Sequence, residues 1–278
     1  MLVVVTAVPA ILMPALSVSW SVAFAALLGT WLAAASASVF NHLIDYDVDM
    51  NMVRTRGRPL PSGRVSNINA FWFGAALALL SWIALFFFAS PVSAWTAVAA
   101  NAFYVLGYTA FLKRRTVQNI VIGGAAGAVG PLIGWAACTN DIGFVSAWPA
   151  WVLFAIIFLW TPPHFWALAI KYKDDYAAAH IPMMPVVRGD AVTRRQMLLY
   201  TITLVPAVAS LYWFGAAGLV YLIPSMLLTL LFVRYAWRLW ITGENALVMP
   251  LFHYSCFYLF GIFGSLTADR FLSLSGLM

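Results

Sequence analysis

Asn41, Asp45 and Asp49 stand four residues apart in the run Asn41-His-Leu-Ile-Asp45-Tyr-Asp47-Val-Asp49. On an α-helix each such step turns about 400° and rises about 6 Å, so the three side chains form one polar row. Asp47 points away from that row and is expected at a solvated rim. Two carboxylates stacked near a low-dielectric interior disfavour one another unless something positive lies against them. A hard divalent cation such as Mg²⁺ suits an oxygen-only set and shares its shell with water and substrate phosphates. Arg54 and Arg58 follow at once, in Met52-Val-Arg54-Thr55-Arg-Gly-Arg58-Pro59-Leu60. Gly57 and Pro59 are predicted to end the helix and turn both arginines back towards the row. Guanidinium groups grip phosphate oxygens. Acids for metal beside arginines for phosphate predict an Mg²⁺–diphosphate site. A helix end neutralised by loop arginines is the competing reading.

A second polar cluster reads Trp160-Thr-Pro-Pro-His164-Phe-Trp-Ala-Leu-Ala-Ile-Lys171-Tyr-Lys173-Asp174-Asp175-Tyr176. Offsets of seven and eleven return to nearly the same helical angle, which puts His164, Lys171 and Asp175 on one face and Asp174 beside it. Pro162 and Pro163 free the carbonyls of Phe158 and Leu159. The two clusters are expected to face each other across a cavity, with Asp175 as a further metal ligand. The plainer alternative is a Lys171–Asp175 ion pair, with His164 bonded to a freed carbonyl. Tyr104 and Tyr108, followed by Thr109 and Lys113, form a phenol row leading to a lysine placed for phosphate. Gly123, Gly124, Gly127, Gly130 and Gly134 suit close helix packing or room for a flat ligand. His42, His180 and His253 make no facing pair for a permanently bound haem.

The elements that carry these residues must live in lipid. The chain is 64% hydrophobic and only 9% charged, against about 25% charged for soluble domains. A bilayer is therefore its solvent, and the fold class is all-α. Helices are predicted at 2–17, 20–43, 68–89, 92–112, 117–138, 148–172, 197–215, 218–240 and 246–267, a polytopic bundle of about nine spans around a central cavity. The first is short for a span and reads as a truncated helix. No Lys or Arg precedes it, so neither a signal peptide nor an Arg-rich transit peptide is expected. Cys138 and Cys256 lie in apolar runs and offer no zinc or disulfide framework.

Every Lys and Arg except Arg270 falls in or beside an even-numbered loop of that topology. By the positive-inside rule those loops face the cytoplasm. The basic balance is thus a topology signal, and nucleic acid is not needed to explain it. Most of the carboxylates share that side, where their cost at a membrane boundary calls for a function.

The Asn41–Asp45–Asp49 row with Met52, Arg54-Thr55 and Arg58-Pro59-Leu60 resembles the first aspartate-rich motif of the UbiA superfamily of intramembrane prenyltransferases. Tyr108-Thr109, Leu112-Lys113-Arg114, Asn119-Ile-Val-Ile-Gly123-Gly124, Trp160-Thr-Pro-Pro-His164-Phe-Trp-Ala-Leu-Ala, Asp174-Asp175-Tyr176 and Ile181-Pro182-Met183 resemble the branch of that family whose acceptor is haem. The likeness runs from about residue 30 to the last helix. Two positions depart from the family pattern: Ala179 stands where a carboxylate would follow Asp175, and His180 where Gly is expected.

The resemblance implies one membrane domain over 1–278 in a bacterial inner membrane, with its site facing the cytoplasm. It implies Mg²⁺ on Asn41, Asp45, Asp49 and Asp175. Asp45, Asp49, Arg54 and Lys113 would be catalytic. Asn41, Arg58, Tyr108, His164, Lys171, Asp174 and Asp175 would bind substrate. The implied donor is farnesyl diphosphate, the acceptor haem b, the product haem O, and the onward partner a haem A synthase. A quinone precursor or chlorophyllide is the alternative acceptor, although aromatic-acid members commonly carry Asp where His42 stands. A transporter or scaffold is the alternative outside enzymes, and it leaves the arginine grip unexplained.

Overall fold

Inside a bilayer each segment has to satisfy its own backbone, so apolar runs become helices. The computed structural model describes residues 2–14 and 18–275, and the regular structure among them is helical throughout. In order these are α1 (Leu2–Leu12), α2 (Trp20–Ile44), α3 (Tyr46–Asn51), α4 (Asn67–Phe88) and α5 (Pro91–Ala102), which runs on as a π-helical segment (Phe103–Leu112). Then come α6 (Asn119–Gly127), α7 (Gly130–Thr139), α8 (Trp148–Lys171), α9 (Lys173–Ala178), α10 (Met184–Trp213), α11 (Leu219–Thr242) and α12 (Val248–Leu274). Eight stretches among the described residues are long and apolar enough to cross a membrane, and α1 is a shorter apolar helix beside them.

Several boundaries differ from the sequence reading. The first helix ends at Leu12 rather than residue 17, and 15–17 lie outside the described residues. The predicted fifth helix divides into α6 and α7, with Pro131 at the start of α7. The seventh begins at Met184 rather than 197, with a break at Gly189 (φ 79°, ψ 166°). The charges of Arg188, Asp190, Arg194 and Arg195 suggested a loop, but a helix leaving the membrane carries such charges on its wet end.

Contacts between loops fix the two ends of the bundle. Arg114 bonds Asp47, Arg54 lies over Tyr172, and Arg194 donates to Asn245 at 2.8 Å, so the four basic loops gather at one end. At the other end Val92 N donates to Asn140 Oδ1, the rings of Trp148 and Phe214 meet edge to face, and Arg270 donates to the carbonyl of Met13. The odd basic residue thus sits at the opposite end from the rest.

Small and hydroxyl residues bring helices together, as expected where lipid is no worse a neighbour than another apolar helix. Between α2 and α4, Ser36 Oγ donates to Gly74 O at 2.9 Å and Ser81 Oγ to Gly29 O at 2.7 Å. Large side chains such as Trp72, Phe73, Phe87 and Trp95 turn outward.

Candidate active site at the basic end of the bundle

The polar row survives a helix break. Asp45, at φ −87° and ψ 9°, ends α2. The backbone ladder nonetheless continues, with Asp45 N donating to Asn41 O at 2.9 Å and Asp49 N to Asp45 O at 2.8 Å. Asp45 and Asp49 are therefore stacked on successive turns, 1% and 3% exposed.

Two different loops neutralise them. Lys113 Nζ is 2.5 Å from Asp45 Oδ2, and Asn41 Nδ2 donates to the same oxygen at 2.8 Å. One nitrogen of Arg58 reaches both oxygens of Asp49, at 3.0 and 2.8 Å. Asn41 also donates to Thr109 Oγ1, which itself donates to Tyr104 O, five residues back along the π-helical segment. Such wide turns often mark functional positions. Here the π segment places Thr109 under Asn41 and Lys113 over Asp45.

Asp45 Oδ1 is buried with no hydrogen-bond partner, and Arg114 Nη2 is 4.0 Å from it. Arg114 is engaged by Asp47, at 2.6 and 2.7 Å. The Arg114 guanidinium holds the Asp47 carboxyl below its usual range. Asp47 is a rim residue, with 62% of its side chain exposed.

Arg54 does not turn back to the acidic row as expected. Its guanidinium lies over the Tyr172 ring, 5.3 Å from the centroid. The reason is local: α3 ends at Asn51, well before Gly57, and Thr55 Oγ1 donates to Asp49 O at 3.1 Å, closing the turn early. Arg58 alone folds back. The redirected Arg54 nevertheless ties the first cluster to the second. Burial raises the Tyr176 phenol, and the charges of Arg54 and Arg58 offset part of that rise.

His164 and Lys171 keep their spacing within α8, but Asp175 does not join their face, because α8 stops at Lys171 and Tyr172 (φ −111°, ψ 32°) breaks the register before α9. Lys171 and Asp174 are exposed, and Asp175 is half-buried. The ion pair at this corner is Lys173–Asp190, at 2.9 Å, rather than Lys171–Asp175. His164 bonds Ser255 on α12 instead of a freed carbonyl. Gly123 and Gly124 of α6 serve packing, while Gly127 lines a cavity. A Cβ on Gly123 would collide with the Tyr108 ring, and one on Gly124 would come 2.9 Å from Thr161, so this pair lets α6 slot between the π segment and α8.

A cavity of about 220 Å³ lies deeper in the bundle than the polar row, whose residues do not line it. Ala34, Ala37 and Ser38 line it from α2, Asn101 and Tyr104 from the α5–π helix, and Ile133 from α7. Positions 34, 38, 41 and 45 share one face of α2, so the apolar chamber lies on the same side of that helix as Asp45, with Ser38 two turns from it. The sequence reading missed Asn101, and it placed Thr109 in the phenol row without its bond to Asn41. Each is a polar residue on a helix otherwise facing lipid, and that was the available signal.

Among the described residues no three carboxylates, imidazoles or thiolates converge on one point, so Asp175 does not complete a cage with Asp45 and Asp49. What the row offers is hard oxygen donors, including the orphaned Asp45 Oδ1, next to two basic groups. That suits a cation that takes part of its shell from a phosphate.

The model of the UbiA prenyltransferase family matches residues 1–261, and the chain belongs to that family. Within it, the chain is 50% identical to the protoheme IX farnesyltransferase of Microcystis aeruginosa, over 85% of this chain and 74% of that protein. It is 45% identical to the protoheme IX farnesyltransferase of Chloroflexus aurantiacus over 91% of this chain, which spans only 43% of that longer protein. A digeranylgeranylglyceryl phosphate synthase shares the fold, with TM-score 0.79, 16% identity, and 96% and 92% of the two chains covered. So does a UbiA homologue from Archaeoglobus fulgidus bound to DMAPP and Mg²⁺, with TM-score 0.67, 17% identity, and 95% and 94% covered.

Proposed function

We propose that this chain transfers the farnesyl group of farnesyl diphosphate to a vinyl group of haem b, giving haem O. The observation that carries the reading is the stacked Asp45 and Asp49, each paired to a base, with an apolar chamber further along the Asp45 face of α2, in a relative of protoheme IX farnesyltransferases.

Asn41, Asp45 and Asp49 would hold Mg²⁺, which when bound offsets charge on the diphosphate. Lys113 and Arg58 exchange their carboxylates for phosphate oxygens as substrate enters, and Arg54 closes over them from its place on Tyr172. These groups stabilise the negative charge that develops as the C1–O bond of the farnesyl diphosphate breaks. The chamber lined by Ala34, Ala37 and Asn101 takes the isoprenoid tail and keeps water from the departing carbon. The terminal vinyl carbon then bonds to C1, and water adds to the resulting cation with loss of a proton. His164 and the Asp174–Asp175 corner lie towards the acceptor. The basic end faces the cytoplasm of a bacterial inner membrane, by the charge of its loops. A haem A synthase is the expected recipient of the product.

Offering haem b, a quinone precursor and chlorophyllide separately to purified protein with labelled farnesyl diphosphate and Mg²⁺ tests the acceptor. Label is expected in haem. Label in another acceptor alone replaces this reading, and movement of substrate without diphosphate release supports a transporter.

A further inference from the structure

His164 is held on three sides. Its ring stacks on Trp160 at 4.2 Å and 22° and on Phe252 at 4.7 Å and 26°, so its two faces are covered. Its Nδ1 lies 2.7 Å from Ser255 Oγ. Trp160 Nε1 donates to the Ser255 carbonyl at 2.8 Å, which fastens the same turn of α12 to α8.

The hydrogen bonds around Ser255 favour one imidazole tautomer. A serine hydroxyl has one proton. Ser255 Oγ donates it to Phe252 O at 2.6 Å. With its proton on Phe252 O it accepts from His164, and in that arrangement Nδ1 carries the ring proton and Nε2 keeps its lone pair. Among the described residues Nε2 has no hydrogen-bond partner, and it is not among the fully buried polar atoms. An imidazole whose far nitrogen donates to a fixed acceptor is the arrangement by which proteins aim a histidine at a metal.

We infer that Ser255 is a positioning residue that locks His164 with Nε2 bare, and that this nitrogen ligates the iron of the acceptor porphyrin. The inference rests on the haem reading of the site. Of the proposed reactants, only a porphyrin iron takes a neutral nitrogen donor, since Mg²⁺ prefers oxygen and a prenyl diphosphate has no vacant coordination position. No proton has to leave when the bond forms. Trp160 and Phe252 stop the ring from turning, so the iron, and with it the porphyrin edge bearing the vinyl groups, is held at a fixed distance from α8.

Titrating detergent-purified protein with haem, and reading the Soret band and the electron paramagnetic resonance of the ferric form, tests this without turnover. Wild type is expected to give a saturable, imidazole-ligated spectrum. His164→Gln loses that signature with unchanged thermal stability, and added imidazole restores it. Ser255→Ala weakens haem binding about tenfold, in the range found when the partner of a metal-bound histidine is removed. Ser255→Thr, which keeps the hydroxyl, binds as wild type. An unchanged spectrum in His164→Gln overturns the ligation while leaving haem as the acceptor. Absence of saturable haem binding by wild type overturns both. Equal weakening in Ser255→Ala and Ser255→Thr removes the positioning role.

Discussion

Lys113 Nζ lies 2.5 Å from Asp45 Oδ2, and the Asp45 side chain is only 1% exposed. The two residues are 68 positions apart in the chain. The pair serves folding and chemistry in different ways, and variants separate the two. Lys113→Met leaves Asp45 buried without its counter-charge and is expected to destabilise the protein by about 3–5 kcal/mol. Adding Asp45→Asn to Lys113→Met restores most of that stability, yet transfer stays at least about a hundredfold down, because the stabilising charges are gone. Thermal unfolding and turnover on the same samples check both halves.

Asp49 and Arg58 already satisfy each other, and Asp45 is satisfied on one oxygen only. Magnesium and diphosphate should therefore bind as a set, since each frees the partner the other needs. Calorimetry is expected to show prenyl diphosphate binding weakened by about tenfold or more without Mg²⁺, within the usual span of coupling between two ligands. Equal affinity with and without the cation would remove the metal from this row.

The chamber on the Asp45 side of α2 predicts a length effect. Ala34→Phe places a ring in the cavity. Farnesyl transfer is expected to fall by roughly 10- to 200-fold, the range that pocket shape alone supplies. Binding of dimethylallyl diphosphate, which needs only the mouth, is expected to persist.

His180 has φ 53°. Its N–H bonds Ala177 O, and Ile181 N bonds Tyr176 O at 3.0 Å, the pair of bonds that closes a helix with a left-handed residue after the cap. A side chain there costs about 1–2 kcal/mol, partly offset by the unfolded-state freedom of glycine. His180→Gly is expected to raise stability by roughly 0.5–1 kcal/mol, a rise in Tm of about 2–4 °C or less, with turnover unchanged.

Asp47 gives a pH signature. Its folded carboxyl titrates below the usual value because of Arg114. The pair therefore stabilises the protein above pH about 4 and loses its contribution as pH falls through the lower folded value. Arg114→Gln is expected to cost less than about 1 kcal/mol at neutral pH, as exposed pairs do. The difference from wild type should vanish in acid.

The spans, the alternation of basic loops and the Asn41–Asp45–Asp49 row were legible because each rests on local spacing. The row even outlasted the break at Asp45, since its ladder bonds continue. Partner choice was not legible. Nothing local says that Lys113 answers Asp45, or that Arg54 prefers the Tyr172 ring to a carboxylate. The π segment was invisible because Phe103–Leu112 has the apolar composition of any lipid-facing helix. Asp175 left the face expected of it with His164 and Lys171 at one residue, Tyr172, where the helix stops and the angular count starts again.

The most direct measurement is mass spectrometry of haem after incubating purified protein with haem b, farnesyl diphosphate and Mg²⁺. Wild type is predicted to convert haem b into the hydroxyethylfarnesyl product with release of diphosphate, and Asp49→Asn, with its fold intact, to leave it unchanged. Haem b recovered unaltered from the wild-type reaction, or equal conversion by Asp49→Asn, would contradict the account.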